Sequence, residues 1–318
     1  MRYILTKEEI IMTKKIGVIA DIHSNFTAFK TAVEYMEKEG INEFFLLGDF
    51  VSDTTDTAET MQYLYDLCDR YTVRLLRGNR EDYMIGQRKV LRGESDAPKW
   101  IANSASGNLL YTYERLTDKD LDFFESLPIT FRYECEGYPA LICCHGSPEN
   151  TRELMQFKGT NTKEWLDKID TDYLIAGHTH YQGRLDYNNK HYFNTGSLGI
   201  AINAPGLAQC LILHGFDASE EGGARWEAEF LNLPYDLDYV VDSIYEKGLM
   251  DTGRWFISNN IYTLRTGNDF TPELIQTAIR LQNEATDAPV TWPYIEEEYF
   301  EKAAGILGIP DYRKKAAE

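Results

Sequence analysis

Apolar positions along the first two hundred residues follow two alternating patterns. Short runs rich in Ile, Val, Leu and Phe, at residues 16–20, 44–47 and 73–76, have the length and composition of buried strands. Between them the spacing turns helical. Phe29, Ala32, Val33 and Met36 share one face of a helix predicted over 26–39, with Asn25 as its cap and Gly40 as its stop. Met61, Leu64 and Cys68 align in the same way over 57–68. Strands are expected at 130–135, 140–144 and 173–176. A short helix capped by Thr117 or Asp118 should end before Pro128, and another should cover 162–169. The runs 184–187 and 191–194 flank Asn188 and Asn189, a pair suited to a type I′ hairpin turn. Strands at 208–213 and 224–233 follow. Beyond Pro234 the pattern is helical, over 237–246, 272–283 and 296–304.

No internal repeat, low-complexity tract or linker interrupts this order. The chain reads as one α/β domain over 1–318, with a core at about 14–233, a helical insert at about 82–128 and a helical C-terminal extension at about 234–318. Residues 1–11 read as an extension ahead of a later start at Met12.

Five predicted strands run directly into polar, metal-capable residues. The turns are Asp21-Ile22-His23, Gly48-Asp49, Arg77-Gly78-Asn79, His145-Gly146 and Gly177-His178-Thr179-His180. Ligands collect at the carboxyl ends of strands in α/β sheets, so these turns should converge on one cleft. A lone Asp after a strand is usually a turn residue, and a lone His is usually structural. The repetition changes that reading: of six His, four (His23, His145, His178, His180) fall in these turns. His191 and His214 are assigned structural places.

Taken in order, DIHSN, GDF, GNRE, HGS and GHTH resemble the calcineurin-like metallophosphoesterases, whose pattern is DxH, GD, GNH followed by an acid, a later H, and GHxH. The resemblance spans Asp21 to His180, and Asn194-Thr-Gly-Ser-Leu-Gly is similar to a turn that family carries after GHxH. It implies a sandwich of two β-sheets flanked by helices. It also implies two divalent ions, manganese or iron, with zinc, cobalt or nickel also compatible with N and O donors. Asp21, His23 and His180 match the ligands of one ion; Asn79, His145 and His178 match those of the other; Asp49 matches the bridge. Cys143 and Cys144 match no ligand and should point to opposite faces of their strand.

Arg80 stands where the familiar GNH pattern has His, as in a bacterial branch of the family with GNRE. Arginine cannot act as a proton donor of useful strength, but it can bind phosphate oxygens and stabilise transition-state charge. Glu81, which normally partners that His, is expected to pair with Arg80. The implied catalytic residues are Asp49, Asn79, Arg80 and His145. The implied activity is hydrolysis of phosphodiester or phosphoanhydride bonds by attack of a metal-bridging hydroxide. Without a strong general acid, good leaving groups should be preferred, such as those of aryl diesters or dinucleoside polyphosphates.

Residues 82–115 hold Arg88, Lys89 and Arg92 with Tyr83, Trp100, Tyr111 and Tyr113. The simpler reading is a helix with a solvated charged face and core aromatics. The alternative is a recognition surface in which Arg88 and Tyr83 join Arg80 as substrate contacts; Arg254-Trp255 raises the same idea. Two other functions stay open. A serine/threonine-type protein phosphatase would need a shallow, open cleft, against which the insert argues. A non-catalytic metal- or nucleotide-binding module would make Arg80 a mark of decay, although all seven ligand positions hold competent residues.

Charge narrows the partners. Lys and Arg number 32 against 51 Asp and Glu, a net charge of −19, which disfavours long nucleic acids. A small phosphorylated substrate is the expected partner. No run approaches the ~18 apolar residues of a membrane span. Five Cys without a CxxC pair fit reduced thiols and a cytoplasmic location.

Overall fold

The computed structural model describes residues 14–286 and 289–313, so the proposed extension at 1–11 and the alternative start at Met12 lie outside the described residues. The order is β1 (Lys14–Ile19), α1 (Phe26–Lys38), β2 (Glu43–Leu47), α2 (Thr57–Arg70) and β3 (Thr72–Leu76). Then come α3 (Asn79–Leu91), α4 (Gly107–Tyr113), α5 (Asp118–Ser126), β4 (Thr130–Tyr133), β5 (Leu141–Cys144), α6 (Thr160–Lys168) and β6 (Tyr173–Ala176). The hairpin β7 (Gly183–Tyr187) and β8 (Lys190–Asn194) precedes β9 (Leu207–Phe216) and β10 (Arg225–Pro234). Four helices close the described chain: α7 (Leu237–Glu246), α8 (Leu249–Thr266), α9 (Thr271–Ala285) and α10 (Glu297–Leu307).

The strands form two five-stranded sheets, ordered β10-β9-β1-β2-β3 and β4-β5-β6-β8-β7. In each, three neighbouring strands are parallel: β1, β2 and β3 in the first, β5, β6 and β8 in the second. Alternation decides which side chains meet between the sheets. Val18, Phe45 and Leu47 turn inward onto Leu141, Cys143, Ile175 and Phe193. Ile19, Phe44 and Leu46 turn outward beneath Phe29, Val33 and Leu64 of the flanking helices. Cys143 and Cys144 separate in the same way, Cys143 between the sheets and Cys144 against Trp165 and Leu166 of α6. This is the helix-flanked two-sheet sandwich that the turn motifs imply.

Local chemistry explains the element ends. The Asn25 side chain accepts from the Ala28 N–H at 3.1 Å and starts α1. Thr117 caps α5 through a reciprocal pair with Asp120. Asn188 and Asn189 have φ of 51° and 60°, the left-handed pair a type I′ turn requires.

The hydrophobic pattern did not reveal α8. Its Trp255, Phe256, Ile257, Ser258, Asn259 and Asn260 are all buried, so it has no polar face to set a helical stripe. It also kinks at Arg254, whose φ of 47° and ψ of −117° interrupt the helix. Trp255 belongs to a core cluster and Arg254 pairs with Glu297, which removes this dipeptide as a recognition surface. Among the described residues no helix is long and apolar enough to cross a membrane.

Candidate metal centre

The five turns at the carboxyl ends of β1, β2, β3, β5 and β6 meet at one edge of the sandwich. Their backbones are forced into an unusual conformation. Asp21, His23, Asp49, His178 and His180 all have φ between 51° and 65°. For non-glycine residues this region costs roughly 1–2 kcal/mol each. Backbone hydrogen bonds between turns hold it: Asp21 N–H to Gly48 O at 3.1 Å, His23 N–H to Asp49 O at 3.0 Å, and Gly177 N–H to His145 O at 3.0 Å. The 194–199 turn adds another tie, since Ser197 Oγ donates to Asp21 O at 3.0 Å and Asn194 donates to Gly177 O at 2.6 Å. Such strain, held in place by its surroundings, is typical of functional sites.

The turns bring seven side chains together. Two overlapping donor groups form, Asp21 with His23 and His180, and Asp21 with Asp49 and His145; within each, the ligand atoms lie within 4.8 Å of one another. His23 Nε2 is 3.0 Å from His180 Nε2, and His145 Nε2 is 3.0 Å from Asn79 Oδ1. The His178 ring stands 5.0 Å from that of His145. His145 Nδ1 lies 2.8 Å from Leu47 O, and donating there leaves the Nε2 lone pair for a ligand.

These residues suit divalent ions. Asp21 Oδ1 is buried without a hydrogen-bond partner, although three imidazoles lie within 4 Å of it. An uncompensated buried carboxylate oxygen is costly, and a cation removes that cost. Glycine makes room for the cluster. A Cβ on Gly78 would stand 2.2 Å from Asp49 Oδ1, and one on Gly177 2.5 Å from Asp21 Oδ2. The titration behaviour divides the imidazoles. Burial alone would lower His145, but the Asp49 and Asp21 carboxylates outweigh it and raise its pKa to about 10. Burial and the neighbouring His145 charge push His178 down to about 4. Asp49 is buried too, yet His145, His23 and Arg80 keep it well below the usual carboxylate range.

The sequence model of the family described as calcineurin-like phosphoesterase matches residues 14–182, a little over half of the chain. This chain belongs to that family. A curated relative, an uncharacterized protein of Methanocaldococcus jannaschii, is 23% identical over 251 residues, which span 74% of this chain and 93% of the relative. A hypothetical protein from Pyrococcus horikoshii has a similar solved structure, with a TM-score of 0.63 at 19% identity over 80% of this chain and 99% of that one. A metallophosphoesterase from Sphaerobacter thermophilus gives 0.59 at 19% identity, again over 80% and 99%. Both share the sandwich fold. The phosphoesterase is thus a metal-dependent phosphoric ester hydrolase by family.

Around the cluster the structure corrects two expectations about this phosphoesterase. Glu81 does not pair with Arg80. Its carboxylate accepts three backbone N–H groups, from Gly78, Asp49 and Phe50, each at 2.8 Å, and so ties the β2 turn to the start of α3. Burial and the Asp49 charge push Glu81 up to about 7. Arg88 is not at the cleft. It is buried on the far side of α3, with its two terminal nitrogens 2.6 Å from Asp122 and Glu125. Eight residues on, α3 has risen about 12 Å along its axis, and there the Arg88 side chain meets α5 rather than the cleft. Trp100 and Tyr113 pack edge to face, and Tyr111 lies in a core cluster, as the simpler reading of the insert expects. Tyr83 lines a second cavity beside the cluster. His191 Nδ1 lies 2.6 Å from Asp186 and His214 Nε2 lies 2.7 Å from Glu229, away from the cleft.

Arg80 is held instead by Asp53, 2.6 Å from its Nη2. Asp53 is buried and is the hub of an arrangement that the motifs did not reveal. His23 Nδ1 lies 3.1 Å from its Oδ2, Asn108 of α4 donates to its Oδ1 at 2.7 Å, and Asn260 of α8 donates to its carbonyl at 3.0 Å. A second carboxylate four residues after Asp49, in the same loop, was the available signal. Asn108 and Asn260 gave none, since only tertiary packing brings their helices here.

A cavity of about 350 Å³ opens over the cluster. Phe256, Asn260 and Thr271 of the C-terminal helices form its far wall, and Asp269 and Glu273 lie at the same side. Among the described residues lining it, Arg80 is the only Lys or Arg.

Proposed function

We propose that the protein hydrolyses small phosphodiesters with good leaving groups, using two divalent ions, manganese or iron, held by Asp21, His23, Asp49, Asn79, His145, His178 and His180. The observation that carries this reading is the buried Asp21 Oδ1, without a hydrogen-bond partner amid three imidazoles and between two donor groups. When bound, such a pair of ions supplies Lewis acidity and an activated water. Asp49 lies between the two halves of the cluster, 4.0 Å from His23 Nε2 and 3.3 Å from His145 Nε2, and takes the bridging place. Asn79 and Arg80 occupy the first turn of α3, where the helix dipole favours a negative phosphoryl group. Arg80, oriented by Asp53, binds phosphoryl oxygens and stabilises charge as it develops, but gives up no proton.

A phosphodiester fits better than a dinucleoside polyphosphate. Phosphates beyond the reacting one would meet Asp269 and Glu273, with no second cationic side chain among the described residues lining the cavity. The helical wall also favours a small substrate over the exposed loop of a protein substrate.

The test is to quantify bound transition metal, then to assay metal-free and manganese-loaded protein on an aryl phosphodiester and a dinucleoside polyphosphate, with Asp49→Asn as the control. Two ions per chain and turnover of the diester, lost in the variant, are expected. Loading without turnover would favour a non-catalytic binding module, and no loading would overturn the site.

A further inference from the structure

Beside the metal cluster lies a second cavity of about 250 Å³, roofed by the insert and the C-terminal helices. It shares Asn79, Arg80, Phe256 and Thr271 with the larger one, so the two form adjoining chambers with Arg80 at the passage. Its walls come from five separate segments. Tyr83 stands on α3, Leu109 on α4, Phe256 on α8 and Ile275 on α9, and Trp292 follows in the segment before α10.

The chemistry of these walls is one-sided. Tyr83 and Trp292 have ring centroids 6.2 Å apart and planes inclined by 33°. Trp292 Nε1 donates to Ala105 O at 2.8 Å, which uses the polar edge of the indole and locks the ring. The polar neighbours are committed elsewhere. Asn108 donates to Asp53, and the Thr271 hydroxyl donates to Asp269 at 2.7 Å. Among the described residues of the lining Arg80 alone is charged, and its Nε is buried, 3.9 Å from Asp49 Oδ2. Beyond Arg80, a sugar or a charged group entering here would lose water for few partners. A flat ring loses little, and an apolar cavity of about 150 Å³ already suffices for benzene.

We propose that this chamber holds a planar, uncharged aromatic group on the leaving-group side of the phosphodiester, resting on the reading of the metal cluster above. A diester that spans both chambers passes its bridging oxygen beside the Arg80 guanidinium, which Asp53 holds at the passage, 2.6 Å from its Nη2. The guanidinium charge there stabilises the departing oxygen in place of a proton, and this selects aryl-type leaving groups, which need no protonation. Apart from Asn79 and Arg80, the chamber is built by the segment 83–109 and the C-terminal part of this chain, outside the strand-end motifs.

Binding of three non-hydrolysable ligands tests this: methylphosphonate, benzylphosphonate and cyclohexylmethylphosphonate, titrated calorimetrically into manganese-loaded protein. The ring should raise affinity about tenfold or more over methyl, in the range of single-ring stacking. The non-planar cyclohexyl compound should fall well below benzyl. In Trp292→Leu, and separately in Tyr83→Leu in case one variant misfolds, the benzyl advantage should shrink at least threefold while methylphosphonate affinity holds. Equal affinity for methyl and benzyl, an unchanged ratio in both variants, or cyclohexyl binding as tightly as benzyl would overturn the chamber's role while leaving the metal site standing. If no phosphonate binds protein that has failed to take up manganese, both readings fall together.

Discussion

Two walls face each other across the cleft, and they are built differently. Asp21, Asp49, His145 and His178 come from turns at strand ends, left-handed and stitched to one another by backbone hydrogen bonds. Asn108, Phe256, Asn260 and Trp292 come from helices and a connecting segment brought there by packing alone. The strand-end wall is strained, charged and intolerant of added volume. The helical wall mixes apolar and polar side chains and owes its shape to α4 lying against α8, where a Cβ on Gly107 would collide with Thr252 O. Reactivity thus resides in a rigid frame, and the fit to substrate resides in elements that can be repacked without touching it.

The sharpest test of this contrast leaves every ligand in place. Gly78→Ala puts a methyl group 2.2 Å from Asp49 Oδ1 and 2.7 Å from the Asp49 backbone nitrogen. Backbone cannot yield as a flexible side chain can, so the Asp49 carboxylate must move. Turnover should fall by about 10³-fold, or about 4 kcal/mol at the barrier, with fewer than two ions retained per chain. Near-normal metal content and kcat would show that the frame is softer than argued.

Next in size is Arg80→Ala. The guanidinium sits at the junction of both walls, paired with Asp53 at 2.6 Å. Its removal should cost about 10²-fold in kcat/KM, the scale for one charge-stabilising donor, while metal content stays at the wild-type level. Arg80→His should restore part of the loss and admit poorer leaving groups, since imidazole can give up a proton. An Arg80→Ala enzyme with unaltered kcat/KM on aryl diesters would remove Arg80 from catalysis.

A smaller effect separates two histidines within the strand-end wall. Without metal, His145 keeps its proton up to about pH 10, whereas His178 loses its own at about 4. A value raised above the ordinary one near 6.5 means that protonated His145 stabilises the metal-free protein fully below pH 6.5. That contribution is lost as pH rises toward 10. Metal ligands must be unprotonated, so uptake at His145 releases a proton and apparent affinity should rise about tenfold per pH unit between 7 and 9. His178 contributes nothing over that range. Manganese titrations in buffers of different ionisation heat count the protons; affinity that is flat with pH would refute the assignment.

The two walls also differ in how far the residues announced them. A strand ending in a chemistry-bearing turn is a local pattern, so β1, β2, β3, β5 and β6 and the polar residues at their ends could be read from spacing, while the choice of seven donors came from the resemblance of the ordered turns. The α8 helix could not, because a helix buried all round carries no stripe and its buried Ser258, Asn259 and Asn260 look polar. The partners of Arg80, Glu81 and Arg88 were misread for a related reason. Charge pairing depends on which helix face packs on what, and Arg88 found Asp122 and Glu125 on α5. Asp53 falls between the cases: its loop was legible, but its role depends on Asn108 and Asn260 arriving from elsewhere.

The gentlest test makes the same substitution in the same helix, eight residues further on. Gly86 lies inside α3 with nothing within 4 Å of where a Cβ would stand, and its backbone is helical. Glycine at such a position loses more backbone entropy on folding than alanine does. Gly86→Ala should therefore stabilise the protein by about 0.5–1 kcal/mol, seen as a small rise in Tm, with metal content and kcat unchanged. Against Gly78→Ala, the pair isolates position from chemistry: one added methyl group strikes the Asp49 carboxylate at the start of α3, and the other only stiffens the helix that carries it. If Gly86→Ala also lowered metal content, the first turn of α3 would be coupled to its middle, and the strand-end wall could no longer be treated as a frame independent of the helices around it.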